Sequence, residues 1–530
     1  MSGAVYVDKT ELVFAMCRDI NKIFLARPRR FGKSLLVSTF ESLFRHGLRD
    51  FQGLAIEKLW TDKTYDVLRL DFSEMKEFSD GREFREKFVE KISARISVLD
   101  PTFSDASSNF ATRLSLWLNA RPTNSLVILV DEYDAPLTAC LDKPEQLGQV
   151  RSTMSEFFLT LKANDRCLRF FFMTGITKLS HTSIFSAFNN LQDISLDSRY
   201  GALLGYTSDE IRTCFASYLE RAQQELNLDS DELFTALHKN YDGFAFDRRA
   251  SRRVFCPWSV LNFLSSPEEG FQNYWYQSGG RPTVLLKYLS NHAIADPAHY
   301  SETKQIRLSD LTTAQEYDDL NGEVLLTQAG YLTLKSVRPN GFALLGYPNQ
   351  EVALSMAQLY ADELMAGQAL DEPDEEMLRE VMAVGSVEDV VFRFNRAFGA
   401  IDYLRYPVRD EASCRAYLQV LLIGAAMLPC VENHSALGRS DLEVDAGSRH
   451  WVLELKYART SVEVQRLLAQ GVSQLRDNRY GESAAHTVLR LALIFDATER
   501  RFAAWSLIDE LEIPSAPATD QRKFPGARSA

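Results

Sequence analysis

Four short apolar runs, at residues 23–25, 67–70, 126–130 and 170–173, punctuate the N-terminal part of this chain, with helical patterns between them. Runs dominated by Val, Leu, Ile and Phe suit strands buried on both faces, and strands that alternate with helices build a parallel, helix-covered sheet. No fixed-period repeat is present, so solenoids and propellers are excluded. The expected fold class is therefore α/β and multidomain.

At 530 residues the chain has room for three or four domains. Residues 1–205 hold the sheet. At Thr207, Thr-Ser-Asp-Glu reads as a capping box, and helical patterns then dominate a lid or linker over 206–300. Residues 301–375 suggest helices with a small sheet, a winged-helix-like segment, and the acidic stretch 371–376 marks a boundary. A strand-rich α/β domain occupies 376–512. Residues 513–530, rich in Pro, Ser and Ala, read as a disordered tail.

The formal charge of -13, from 59 basic and 72 acidic residues, excludes a chain that coats nucleic acid by bulk electrostatics. Any nucleic-acid contact must be a local site. Seven cysteines without a C-x-x-C pair indicate neither a zinc site nor a disulfide framework, and a cytoplasmic location is expected. The N-terminus lacks a basic start leading into an apolar core. The longest apolar stretch, 418–431, is interrupted by Gln419 and too short to span a bilayer, so no membrane anchor is expected.

Chemistry enters where the apolar runs end. After the first comes Arg27-Pro28-Arg29-Arg30-Phe31-Gly32-Lys33-Ser34, then a helix with Leu36, Phe40 and Leu43 on one face. Gly32-Lys33-Ser34 stands where a phosphate-binding loop opens its helix: backbone N–H groups hold phosphate, the lysine reaches the β and γ groups, and the serine hydroxyl ligates Mg²⁺. The first glycine of that motif is replaced by Arg27, and Arg27, Arg29 and Arg30 are candidates to contact phosphate instead. The third run ends in Asp131-Glu132, suited to deliver one carboxylate to a metal and a second to orient or deprotonate water; a helix N-cap is the plainer reading. Thr174, after the fourth run, is either a γ-phosphate sensor or a strand cap. Asp71, after the second, is equally ambiguous.

The C-terminal segment offers a second constellation. Residues 438–444 read as a strand, 445–450 as a turn and 451–457 as a second strand, whose alternation puts Glu454 and Lys456 on one face while pairing brings Asp441 near. Two carboxylates with the Leu455 carbonyl suit Mg²⁺, and Lys456 suits a developing phosphate charge. Glu411, at a helix start, can add a ligand or pair with Arg415. Gln474, on a later helix, can meet a phosphate backbone. A solvated hairpin with a surface ion pair is the competing reading.

Together with Tyr6-Val7-Asp8-Lys9-Thr10, Tyr133-Asp134, Gly175-Ile176, Phe188-Asn189-Asn190-Leu191, Tyr241-Asp242-Gly243-Phe244, Pro257-Trp258-Ser259 and Pro348-Asn349-Gln350-Glu351, these motifs resemble the bacterial AAA-ATPase-like proteins that carry a C-terminal PD-(D/E)XK nuclease-superfamily domain. The resemblance runs to about residue 510. It implies a P-loop NTPase sheet followed by a restriction-endonuclease-like domain, with ATP and Mg²⁺ as cofactors. It assigns Lys33 and Ser34 to nucleotide and Mg²⁺, and Asp131 and Glu132 to metal and water. Asp441, Glu454 and Lys456 become the nuclease core, with Glu411 and Gln474 accessory. It makes Arg27 a family feature. It also implies that members begin well before the Tyr6 motif, so that a chain starting here would lack adenine-side contacts.

The expected function is ATP-regulated, Mg-dependent cleavage of nucleic acid, DNA rather than RNA, by an enzyme that can assemble as a homo-oligomer. The alternative is a nucleotide-controlled switch whose C-terminal domain binds nucleic acid or a partner without cutting.

Overall fold

The apolar runs become parallel strands: β1 (Lys22–Ala26), β2 (Asp66–Asp71), β3 (Leu126–Asp131) and β4 (Leu168–Gly175). The structure, a computed structural model, describes residues 5–103, 109–178, 191–277, 303–312, 321–364, 377–404, 406–425, 427, 429–431, 434–435, 438–478 and 487–508. A short β5 (Gln192–Asp193) completes a five-stranded sheet of order β2-β3-β4-β1-β5, parallel throughout. Every residue of β1 and β3 is buried, as unbroken apolar runs require of a sheet covered on both faces.

From β1 the chain crosses to the far edge, walks back through β2, β3 and β4, and passes β1 again to reach β5. The order reverses at β1. In such sheets ligands bind beyond the carboxyl ends of the strands at that switch point, and those ends carry the phosphate loop and Asp131.

Helix α1 (Thr10–Asp19) precedes β1, and α2 (Lys33–His46) follows the loop. Gly32 at φ +87° and Gly47 at φ +63° bracket α2 in backbone conformations that glycine adopts at least cost. Leu36, Val37, Phe40, Leu43 and Phe44 are buried, and the Phe40 ring lies 5.0 Å from both Phe170 and Phe172 of β4.

The capping box forms at Thr207. Its hydroxyl accepts from Glu210 N at 3.3 Å, while Glu210 accepts from Thr207 N at 2.8 Å. Helices Ser208–Cys214, Ala216–Leu226, Ser230–Tyr241 and Pro257–Ser265 enclose a core of Ile211, Phe215, Leu233, Leu237, Tyr241 and Phe263, into which Val7 of the N-terminal segment also packs. Strands β6 (Lys304–Arg307), β7 (Thr333–Val337) and β8 (Phe342–Gly346) make an antiparallel sheet of order β6-β8-β7, with helices Leu308–Thr312 and Gly322–Ala329 between β6 and β7. Glu351 is buried against helix Pro257–Ser265; it accepts from Ser259 Oγ at 2.8 Å and Trp275 N at 2.9 Å, and burial pushes its carboxyl up to about 8.

These segments, the expected sheet, lid and winged parts together, belong to one compact unit, 1–294 with 301–356; the second unit is 295–300 with 357–530. In the second unit, β9 (Cys430–Val431), β12 (Leu442–Ala446), β13 (Arg449–Ala458), β14 (Thr487–Asp496) and β15 (Arg501–Ile508) form a sheet of order β15-β14-β13-β12-β9. Only the β13–β14 pair is parallel. A separate hairpin pairs β10 (His434–Ser435) with β11 (Gly438–Arg439). Helix Val464–Asn478 covers one face, Leu475 against Val452 and Ala492, and Val464 against Ala458 and Ile494.

Two expectations about this hairpin region change. The strand read over 438–444 is two pieces, β11 and β12, and the turn read over 445–450 shrinks to Gly447-Ser448. Gly447 takes φ +58°, which permits a two-residue loop, so Asp445 and His450 face each other in the ladder with Oδ1 and Nδ1 at 2.7 Å. The acidic stretch 371–376, residues 188–190 and the tail 513–530 lie outside the described residues. No described helix is long and apolar enough to cross a membrane.

Candidate functional site

Position 27 decides how the phosphate loop is built. The Arg27 side chain is 1% exposed; its Nη1 donates to Ser195 O at 2.6 Å and Ala26 O at 2.9 Å, its Nη2 to Tyr200 O at 3.3 Å, and the guanidinium lies 4.3 Å from the Phe246 ring centroid. Burial pulls its pKa down to about 9. The expectation that Arg27 contacts phosphate is therefore corrected: its two Nη groups are spent on backbone carbonyls beneath the loop. The other arginines sit differently. Arg30 is exposed, takes φ +70°, and stacks 4.3 Å over Trp258. Half-buried Arg29 lies close enough to Lys33 to disfavour its charge.

Lys33 is buried, and its ammonium donates to Arg27 O at 3.0 Å and Pro28 O at 2.9 Å. Burial pulls its pKa down to about 8, with Asp134, Asp131 and Glu132 opposing the fall. Across the sheet edge the Asp131 carboxylate accepts from the Ser34 hydroxyl; burial, with Asp71 beside it, raises its pKa. Asp71 and Asp131 are register partners on β2 and β3, so the ambiguous Asp71 belongs to the same acidic edge. Glu132 adopts a left-handed φ of +46°. That conformation is unfavourable for a side chain with a Cβ and tends to survive where function holds it. Desolvation, then Asp71 and Asp131, raises the Glu132 carboxyl.

Thr174 is fully buried and its hydroxyl donates to Leu25 O at 2.7 Å. It ties β4 to β1, as a strand cap does. The residues that shape the loop beyond β4 are Tyr133 and Asp134, which carried no separate role in the sequence reading. Asp134 is buried and accepts from Thr177 N at 2.8 Å and Thr177 Oγ1 at 2.7 Å; the Tyr133 hydroxyl donates to Thr177 O at 2.9 Å. Their signal was the four-residue block Asp-Glu-Tyr-Asp, whose second half points inward. A methyl at Gly175 would stand 2.5 Å from Asp134 Oδ1 and 2.6 Å from Tyr133 Cδ1. We expect Gly175→Ala to lower the melting temperature and cut ATP affinity several-fold, checked by thermal denaturation and a nucleotide titration.

Beside α2, a cleft with about 620 Å³ of empty space, part of it open, is lined by Tyr6, Val7, Gly32, Leu35, Leu204 and Tyr206 among others. Its wall is completed by an ion pair from Lys9 to Glu210 at 2.6 Å. This apolar, aromatic space next to a phosphate loop suits a nucleoside.

In the second unit, Glu454 and Lys456 share a face of β13, as alternation requires. Lys456 Nζ donates to Glu454 Oε1 at 2.7 Å and Leu455 O at 3.0 Å, and stands 3.5 Å from Glu411 Oε1. Asp441, just before β12, accepts from Leu455 N at 2.8 Å, and Arg415 Nη1 lies 3.8 Å from its other oxygen. Helix Glu411–Gly424 starts at the N-cap Asp410, which accepts from Ser413 N at 2.8 Å, and this start presents Glu411 and Arg415 to the strands. Glu411 thus meets Lys456, and Arg415 turns to Asp441.

Glu454 is 1% exposed, and burial, with Asp441 adding repulsion, pushes its carboxyl up to about 7 against the pull of Lys456. Its Oε2 has no hydrogen-bond partner. Burial lowers and the Glu454 hydrogen bond raises the Lys456 pKa, the net being upward. Among the described residues no group of three or more His, Cys, Asp and Glu is arranged to hold a metal by itself. Mg²⁺, which commonly takes one or two carboxylates with water and substrate oxygens, needs no such cage, and a buried unpartnered carboxylate oxygen fits it. Gln474 is half-buried on helix Val464–Asn478 and makes no hydrogen bond to these carboxylates.

Residues 1–185 match the family described as predicted AAA-ATPase. Over 493 residues the chain is 30% identical to an uncharacterized protein in the vnfD 5' region of Azotobacter chroococcum mcd 1, an alignment that covers 90% of this chain and 89% of that one. That family suggests nucleotide-binding ATPase activity, and the parallel, helix-covered sheet of the first unit is consistent with it. By its motifs, its sheet and this end-to-end similarity, the chain belongs to the predicted AAA-ATPase family.

Proposed function

We propose that this ATPase is coupled to a metal-assisted phosphodiesterase in its second unit, which cuts nucleic acid, DNA rather than RNA. The observation that carries the reading is the convergence of Asp441, Glu454, Lys456 and Glu411, with one Glu454 oxygen buried and unpartnered. A solvated ion pair on a hairpin would not bury its carboxylate so fully.

At the nucleotide site, Lys33 would leave the Arg27 and Pro28 carbonyls to meet the β and γ phosphates, and Ser34 and Asp131 would hold Mg²⁺. Glu132, its carboxyl raised by desolvation, takes a proton from the attacking water. In the second unit, Asp441 and Glu454 would hold the ion. The Leu455 N–H fixes one Asp441 oxygen, and Lys456 fixes Glu454 while offering its charge to the phosphate. A divalent cation bound at either site neutralises phosphate oxygens and makes a bound water more acidic.

The test is cleavage of plasmid, linear single-stranded DNA and RNA by the full chain with Mg²⁺, with and without ATP. Wild type should cut, with Lys456→Ala slowed about 100-fold or more. ATP turnover without cutting of any substrate would replace this reading with the nucleotide-controlled switch.

A further inference from the structure

Arg27 stands where the phosphate-loop motif has a glycine, and its side chain is not used on phosphate. It lines a pocket at the start of the loop, together with Ala26 and Pro28. The pocket has a cavity volume of about 50 Å³ and apolar walls that include Leu196, Phe244, Phe246, Leu311, Leu332 and Leu334. Two cations border it. Arg27 is 1% exposed and its Nε has no hydrogen-bond partner; Lys178 is 4% exposed, pairs with Asp193 and reaches Leu311 O at 3.4 Å. Gln328 accepts from Lys178 N at 3.0 Å and fixes the segment that carries the lysine.

Among the described residues that line the pocket or pair with its cations, two positive charges face one negative charge, that of Asp193. One positive charge is left over in an apolar enclosure, where an uncompensated ion is costly. Asp193 is also the one charge that supports the ionised Arg27 against burial.

We propose that this pocket is a second ligand site, which takes a small monoanion with an apolar body, of the short-chain carboxylate class. A single carboxylate supplies the missing charge and an acceptor for an unpartnered N–H donor, and its hydrocarbon end meets the leucine and phenylalanine walls. A phosphate or polyphosphate does not match, because its several oxygens would find few donors there and its charge would exceed the one to be balanced.

The position gives the site a consequence. Arg27 and Pro28 line the pocket and also hold Lys33 through their carbonyls. An anion that shifts Arg27 is linked to the same loop that receives phosphate, and such linkage is reciprocal. The site itself does not depend on the proposed phosphodiesterase.

The probe is sodium butyrate, titrated against the full chain by saturation-transfer NMR, with neutral butyramide as the control for charge. Wild type should bind butyrate saturably and butyramide at least about tenfold more weakly. Lys178→Met, which keeps the stem and removes the charge, should weaken butyrate at least about tenfold; Thr327→Leu, which fills the pocket, should do the same without changing any charge. Asp131→Asn, at the nucleotide site, should leave butyrate binding unchanged. Circular dichroism melts establish that each variant is folded. Absence of saturable binding, equal binding of butyramide, or an unchanged affinity in a folded Thr327→Leu protein would overturn the proposal.

Discussion

Replacing Lys33 by methionine will reduce ATP turnover about 100-fold or more, because its buried ammonium, facing Asp134, Asp131 and Glu132, is the charge placed to meet the phosphates. The same residue sets a pH dependence. Burial lowers its pKa to about 8 in the free protein, whereas an unfolded lysine titrates near about 10.4. Above pH 8 the free protein loses this charge, so ATP affinity should fall as pH rises through that value, and in Lys33→Met this step should be absent. Stability moves the opposite way. Between about 8 and 10.4 the unfolded chain holds the extra proton, so the Lys33 contribution to folding improves as pH rises across that window and its penalty is fully present below it. Nucleotide titrations and thermal melts at pH 7, 8 and 9 on both proteins check the two signs. An ATP affinity that is flat through pH 9 in wild type, or turnover retained in Lys33→Met, would remove Lys33 from the phosphate site.

The second large effect is expected at Glu454, where stability and activity should part. Its carboxyl is raised to about 7 by burial and by Asp441, above the unfolded value of about 4.3. The folded state therefore holds the extra proton between those values. The stabilisation is fully present below about 4.3 and is lost as pH rises through 7, leaving an ionised buried carboxylate at pH 8. Glu454→Gln removes that charge at constant shape, so at pH 8 the variant should melt at a higher temperature than wild type, while at pH 4 the difference should shrink. Metal should reverse the order: a Mg²⁺- or Mn²⁺-induced rise in melting temperature is expected in wild type and not in Glu454→Gln. Cleavage should fall about 100-fold or more in the variant. A Glu454→Gln protein that melts lower at pH 8 and keeps its metal response would show that the carboxylate is a structural ion pair with Lys456.

Both predictions rest on side chains whose types were legible before any fold was known. Gly32-Lys33-Ser34 and Asp131-Glu132 follow short apolar runs at spacings that alternate strand and helix, and hydrophobic burial alone is enough to turn such runs into sheet. The strands appear at those positions, and Leu36, Phe40 and Leu43 are buried on one face of α2 as the helical period demands. Alternation on β13 likewise put Glu454 beside Lys456.

What was illegible depended on partners distant in sequence. Arg27 read as a candidate phosphate contact because it stands at the position of the motif's missing first glycine. Only the approach of Ser195 and Tyr200, more than a hundred residues on, gives its guanidinium backbone carbonyls to satisfy. Thr174 was ambiguous until β4 paired with β1 and supplied Leu25 O. Tyr133 and Asp134 acquired their role from Thr177, and the turn at 447–448 was overestimated because the Asp445–His450 pair exists only once both strands are in register.

By itself the sequence determined the alternation of strand and helix, the place of the first site's groups after their strands and of Glu454 and Lys456 on one face of β13, and the kind of chemistry that such groups suit. These follow from local hydrophobic pattern and from residue type. The tertiary structure decided which charges face each other, which are deprived of water, and which donors are already spent. Those properties depend on distance and burial, and a pKa or an unpartnered oxygen has no value until the chain has brought remote residues to within a few ångströms and excluded the solvent between them.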